Sequence, residues 1–251
     1  MTASHSQPKT LALVIADIHL QPNNPKHPIN QHFLSFIQKV APSSSKLYIL
    51  GDLFEVWLGD DIGLQDYATE LNALKYLIDS GTQVFVQYGN RDFLMKQRFS
   101  QTTGIQLLPD EYPAEIGPHK LLMVHGDQLC TLDENYQKMR RWFRKNWVQW
   151  LFLKLPQTQR KKIGSKMRQT SNSTGRSKSS EMMDAQESAI VALLNRYPDY
   201  HTLIHGHTHQ PNHYEFTMNQ HSYHRYVLSD WRPQTNYLSI DSQKIQIINF
   251  E

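Results

Sequence analysis

Short apolar runs punctuate this chain, and most of them stop abruptly at a polar residue. The first, LALVIA, predicts a strand over 11–16. The same pattern predicts strands over 46–50, 82–88 and 201–205, with two more near 105–108 and 120–124. Between them, apolar residues recurring near i, i+3 and i+4 predict helices over 28–40, 66–79, 92–100 and 181–197. Pro28 suits the first turn of its helix and Gly81 fits the stop after residue 79. In the last helix Met182, Ala185, Ala189, Leu193 and Leu194 fall near one face. From 213 to 251 the alternation is that of antiparallel strands, as in Tyr237, Ser239 and Asp241. Strand–helix alternation followed by a strand-rich end predicts an α/β fold, a two-sheet sandwich flanked by helices.

Residues 130–180 break this alternation and read as a helical cap inserted into a core formed by 1–129 and 181–251. Met139, Trp142, Phe143, Trp147, Trp150 and Leu151 recur at helical spacing, with Lys138, Arg140, Arg141, Arg144 and Lys145 on the remaining positions. Phe152, Leu153 and Leu155 extend the apolar surface to Pro156. A second basic helix is expected over about 157–168, then a Ser/Thr/Gly-rich loop over 170–180. Charge sharpens the boundary. Between 135 and 180 there is no Asp or Glu, yet the window holds 13 of the 26 Lys and Arg residues; the rest of the chain has 13 basic and 23 acidic residues. An amphipathic, Trp-rich basic helix can pack its stripe on the body, roof a greasy chamber, or lie at an anionic membrane surface; lipid contact is the favoured reading. Nucleic acid is disfavoured, because the aromatics share one face with Met and Leu instead of being interleaved along a groove.

Composition adds bounds. The chain's 251 residues suffice for one large domain with an insertion. The single cysteine, Cys130, rules out an internal disulfide framework and suits a reducing compartment. No apolar stretch approaches the roughly 20 residues that span a bilayer, and MTASHSQPKT lacks a signal pattern. A cytoplasmic protein is expected, with no obligate protein partner evident.

The chemistry lies where the runs stop. Asp17-Ile18-His19, Gly51-Asp52, Gly89-Asn90-Arg91-Asp92, His125-Gly126-Asp127 and Gly206-His207-Thr208-His209 each follow a predicted strand. Each alone is a cheap motif. Together, in this order and at strand ends, they predict one site at the carboxyl edge of a sheet. Carboxylate, imidazole and amide oxygen without thiolate suit manganese, iron, zinc or magnesium. Two ions about 3.5–4 Å apart need a bridging ligand, normally a carboxylate. Asp52 is expected to bridge. Asp17, His19, Asp52 and one GHTH histidine would hold the first ion; Asp52, Asn90, His125 and the other histidine would hold the second. His205 is expected to face away, since strand residues alternate sides.

The D-x-H, G-D, G-N-R-D, H-G-D, G-H-x-H series, from 17 to 209, resembles the signature of the calcineurin-like metallophosphoesterases. His125-Gly126-Asp127-Gln128-Leu129-Cys130-Thr131-Leu132-Asp133-Glu134-Asn135-Tyr136 is similar to the more specific HGDxLCTxDxxY stretch of the UDP-2,3-diacylglucosamine diphosphatase family of lipid A biosynthesis. GDLFEVWLGDD, GNRDFL and Arg225-Tyr226-Val227-Leu228-Ser229-Asp230-Trp231 resemble it too. The resemblance implies two manganese ions, with iron or magnesium also compatible with the ligands. It puts His209 with Asp17, His19 and Asp52, and His207 with Asp52, Asn90 and His125. It implies that Asp52, Asn90, Arg91, His125 and His207 serve catalysis, and that UDP-2,3-diacylglucosamine meets Asn90, Arg91, Asp133, Ser171, Lys178 and His207. Gly175 stands where the family tends to present Asn. The implied reaction is attack of water on the α-phosphorus, giving UMP and 2,3-diacylglucosamine 1-phosphate, at the cytoplasmic face of the inner membrane. The alternative is a soluble phosphoesterase acting on nucleotides or phosphodiesters.

Overall fold

The computed structural model describes residues 10–175, 182, 184–232 and 235–251, with the backbone alone over 169–175. Strands β1 (Thr10–Ile15), β2 (Ser44–Leu50), β3 (Gln83–Gln87) and β4 (Gln106–Leu108) run parallel. With β10 (Thr235–Ile240) and β11 (Ile245–Phe250) they form a six-stranded sheet ordered β11-β10-β1-β2-β3-β4. The second sheet is ordered β5-β6-β7-β9-β8, from β5 (Glu111–Ile116), β6 (His119–Val124), β7 (Thr202–His205), β8 (Asn212–Met218) and β9 (His221–Val227).

β1 is apolar on both faces because both are covered. Leu13 and Ile15 join a cluster with Phe33 and Phe36 of α1 (Pro28–Lys39), Leu74 of α3 (Ala68–Asp79) and Phe99 of α4 (Gln97–Thr103). Ala12 and Val14 meet Leu121, Met123 and Ile204 of the other sheet. The second sheet buries its far face under α8 (Glu187–Asn195) through Ile190, Leu193 and Leu194. This is the expected sandwich of two sheets between helices.

Several expected boundaries move, each for a local reason. The helix expected over 92–100 is α4, starting at Gln97. Asp92 accepts from the backbone N–H of Gly89 (2.7 Å) and Leu53 (2.8 Å), which holds 92–96 in a turn. The helix expected over 66–79 is preceded by a separate α2 (Asp60–Asp66), and Asp60 caps α4 by accepting from the N–H of Phe99 at 2.9 Å. Of the helix expected over 181–197, α8 starts only at Glu187, after a bend at 184–186; the Gln186 N–H is drawn to the Leu129 carbonyl instead (3.0 Å). β5 went unpredicted, because Pro113 and two glutamates hide an edge strand that pairs with β6.

In the insertion the Trp-rich stretch is two helices, α5 (Glu134–Phe143) and α6 (Asn146–Lys154). The Gln149 amide donates to the Phe143 carbonyl (2.9 Å), satisfying the end of α5 at the break. α7 (Gln157–Gly175) runs through residues 170–175, where a loop was expected. The basic block also finds nearer anions than a ligand. Arg140 and Arg144 pair with Asp110 at 2.8 and 3.1 Å, Arg160 and Lys161 with Asp61 and Asp66 at 2.5 and 3.5 Å, and Arg168 with Glu55 at 3.7 Å. Part of the charge asymmetry is thus cap-to-body attraction.

Candidate metal centre

All five motif segments leave the carboxyl ends of parallel strands: Asp17 and His19 after β1, Asp52 after β2, Asn90 after β3, His125 after β6 and His207 and His209 after β7. The two sheets therefore present their strand ends to one place. The backbone there is costly. Asp17, His19, Asp52, His207 and His209 all have positive φ, between 50° and 70°. Non-glycine residues rarely enter this region, and each such position stores about 1 kcal/mol or more. Positive φ at five candidate ligands turns their side chains inward off the strand ends. Gly206 admits the closest approach: a Cβ there would run into the Asp17 carboxylate.

Distances group the side chains. Asp52 Oδ1 lies 3.8 Å from His125 Nε2, and its Oδ2 lies 3.9 Å from His19 Nε2. One carboxylate thus reaches a histidine of each expected ion, as a bridge must. Asp17 Oδ1 lies 3.5 Å from His209 Nε2. Asp17, His19 and His209 form one cluster that could hold a divalent ion, and Asp17, Asp52 and His125 form another. Asn90 Oδ1 sits 3.1 Å from His125 Nε2, and the His207 ring stands 4.9 Å from that of His125.

The donors fit a metal on independent grounds. Asp17 Oδ1 and both ring nitrogens of His19 are buried without a hydrogen-bond partner. Buried polar atoms without partners are costly; a divalent cation would satisfy Asp17 Oδ1 and His19 Nε2, the ring nitrogen that faces Asp52. Tautomers are also arranged. His125 Nδ1 lies 2.8 Å from the Leu50 carbonyl, where it must donate, which leaves Nε2 free to ligate. Carboxylates stand behind two more ligands: Glu55 at 3.5 Å from His19 Nδ1 and Asp230 at 3.5 Å from His209 Nδ1.

Electrostatics separate the groups. Burial pushes the Asp17 carboxyl up, but the close approach of the His209 ring and the charges of His125, His209 and His19 outweigh it and hold Asp17 well below the usual carboxylate range. Burial, aided by Asp92 and Asp17, pushes Asp52 up to about 7 against the pull of His125. Burial opposes the His125 cation, yet the charges of Asp52, Asp17 and Asp127 raise its pKa. Burial lowers His207 to about 3 and His19 well below its ordinary value, so both stay neutral. Without metal, Asp52 holds a proton up to about pH 7 that ligation must release. Divalent-metal affinity should therefore rise from about pH 6 to about pH 8, with protons released on binding. Titration calorimetry in two buffers of different ionisation enthalpy checks this; affinity that is flat with pH, and no proton release, would contradict it.

Of the implied substrate residues, Arg91 is beside Asp52 (3.7 Å) and bonded to Glu55 (2.8 Å). Asp133 is buried and caps α5, accepting from the Tyr136 N–H at 3.1 Å. Ser171 lies on the α7 backbone and Lys178 lies outside the described residues. His205 stays out of both clusters, its Nδ1 2.8 Å from the Gly206 carbonyl.

Sequence reasoning missed the link between cap and centre. Fully buried Asp127 accepts from Tyr136 Oη at 2.6 Å and from Arg140 Nε at 2.7 Å. The Tyr136 ring stacks beside His207 at 6.3 Å, and Arg144 donates to the Gly89 carbonyl at 2.9 Å, one residue before Asn90. Asp127 ends the HGD motif, which was the available signal; Glu55 and Asp230 lay inside the family-like segments GDLFEVWLGDD and Arg225–Trp231 without being singled out.

The family of calcineurin-like phosphoesterases matches residues 11–211. Among curated proteins, a UDP-2,3-diacylglucosamine hydrolase from Tolumonas auensis is 41% identical over 240 residues, covering 94% of this chain and 96% of its own. Counterparts of the same name from an Enterobacter species and from Ectopseudomonas mendocina are 41% and 40% identical. They cover 95% and 96% of this chain and 98% of each relative.

Proposed function

The chain belongs to the UDP-2,3-diacylglucosamine hydrolase family of the calcineurin-like phosphoesterases, and we propose that the centre built on Asp17, His19, Asp52, Asn90, His125, His207 and His209 holds two manganese ions and carries the reaction. That reaction is metal-dependent hydrolysis of the pyrophosphate bond of UDP-2,3-diacylglucosamine to UMP and 2,3-diacylglucosamine 1-phosphate, in lipid A synthesis. The observation that supports this use of the centre is the set of buried, unpartnered donors on Asp17 and His19.

Asp17, His19, Asp52 and His209 form the first ligand set; Asp52, Asn90, His125 and His207 form the second. Bound divalent ions supply Lewis acidity that lowers the pKa of water and neutralises charge on the phosphoryl oxygens. The chain's residues do the rest. Asp52 spaces the two sets. Asn90 offers a neutral oxygen, which limits negative charge against an anionic substrate. Arg91, oriented by Glu55, faces the phosphoryl oxygens as charge grows on them. Burial keeps His207 neutral, so its one free ring lone pair is available to the second set. The departing 1-phosphate is a weak base, with a pKa of about 6, so no strong general acid is required. Asn90, Arg91, Asp133, Ser171, Lys178 and His207 contact the substrate. Hydrolysis in ¹⁸O-labelled water tests the point of attack: label in UMP supports the α-phosphorus, and label in the lipid phosphate refutes it.

The acyl chains need an apolar partner, and residues 130–180 supply one as a cap. Leu132, Met139, Trp142, Trp147, Trp150, Leu151, Ile163 and Met167 are exposed, and Tyr76 is the one other large exposed hydrophobic among the described residues. Among the described residues no helix is long and apolar enough to cross a membrane. The row fits peripheral docking at the cytoplasmic face of the inner membrane. Trp147→Ser with Trp150→Ser should cut co-sedimentation with anionic vesicles about tenfold, from the loss of two interfacial rings. Unchanged sedimentation would remove the membrane role.

A further inference from the structure

A second group of metal-ligating side chains lies outside the centre, on the β8–β9 hairpin. Antiparallel pairing sets Glu215 opposite His224 and His213 opposite Tyr226. Alternation along β8 puts His213 and Glu215 on one face, and His224 joins them from across the ladder. The His213 ring is fixed by stacking on Tyr226, with centroids 4.2 Å apart and planes within 4°. His213 Nε2 and His224 Nδ1 lie 3.2 Å apart. Glu215 Oε1 lies 3.7 Å from His224 Nδ1 and 3.9 Å from His213 Nε2. The three side chains are half-exposed or open to solvent, so an ion can reach them.

The spacing suits one ion. With zinc–nitrogen bonds of about 2.0–2.1 Å, two nitrogens on a tetrahedron stand roughly 3.3 Å apart. The two imidazoles are already at that separation, and Glu215 closes with a small side-chain rotation. Two neutral imidazoles and one carboxylate leave a fourth position for water. This ligand mix selects late transition metals over manganese or magnesium, which prefer oxygen.

We propose that His213, Glu215 and His224 form a separate surface site for one zinc-class ion (zinc, nickel or copper). The site clips edge strand β8 to β9. It neither supplies nor shares ligands with the catalytic centre.

Zinc bound per chain, counted by elemental mass spectrometry after dialysis of the manganese-loaded protein against zinc, tests this. Wild type should retain one zinc more than His213→Ala and one more than His224→Ala, whatever exchange occurs in the centre. His201→Ala, at a histidine outside the triad, should match wild type. Melting without zinc should be the same for all, which separates lost ligation from lost folding. Equal zinc in wild type and His213→Ala would overturn the proposal, as would an equal loss in His201→Ala.

Discussion

Asp52→Asn should lower kcat/KM for UDP-2,3-diacylglucosamine by about a thousandfold or more, roughly 4 kcal/mol of transition-state stabilisation. The two Asp52 oxygens each face a histidine of a different ligand set, so an amide can serve at most one set as an oxygen donor. Folding should survive the change. Asparagine can keep the oxygen that accepts from the Arg91 N–H at 2.9 Å. The sign of the pKa shift argues the same way. An acid raised to about 7 in the folded chain favours the native state while protonated, and that contribution fades as pH climbs from about 4 through about 7. A neutral amide removes this penalty. The metal-free variant should therefore melt no lower than wild type at pH 8, while the gain in Tm on adding manganese shrinks. A variant that turns over at half the wild-type rate would show that Asp52 is not a shared ligand.

Asp127→Ala should destabilise the protein by about 3 kcal/mol, because it strips a buried acceptor from two donors at once. Tyr136 Oη loses its 2.6 Å bond and Arg140 its 2.7 Å bond, while Arg140 keeps Asp110 at 2.8 Å. For a chain of this size the Tm should fall by about 9 °C. Asp127→Asn keeps an acceptor for Tyr136 and should lose about half as much. Because Tyr136 also stacks beside His207, turnover should drop alongside stability, tying cap placement to the centre. A loss below about 1 kcal/mol, the worth of one ordinary hydrogen bond, would mean that the Asp110 pairs alone hold α5.

The candidate metal ligands were legible because each follows an apolar run that can only be a buried strand, and parallel strands end on the same side. Two sheets flanked by helices followed from the same runs. The left-handed backbone at Asp17, His19 and Asp52 was not legible. Aspartate and histidine give no local sign of it, and the surrounding packing imposes it. Glu55 and Asp230 are single acids whose partners, His19 and His209, lie far off in sequence. The basic block was read as facing an outside anion. The acids that meet much of it, Asp61 in the first turn of α2, Asp110 between β4 and β5 and Asp127 just after β6, come near the cap only through the fold. Helix ends moved wherever a distant side chain or carbonyl took a backbone donor, as Asp92 does at Leu53.

The most direct test is UMP release from UDP-2,3-diacylglucosamine in mixed micelles, comparing wild type stripped of metal, wild type reloaded with manganese, and reloaded Asn90→Ala. The stripped enzyme should release none, reloading should restore turnover, and Asn90→Ala should stay near the stripped level despite normal folding. Full UMP release by the stripped enzyme, or by Asn90→Ala, would contradict a metal centre built on these residues.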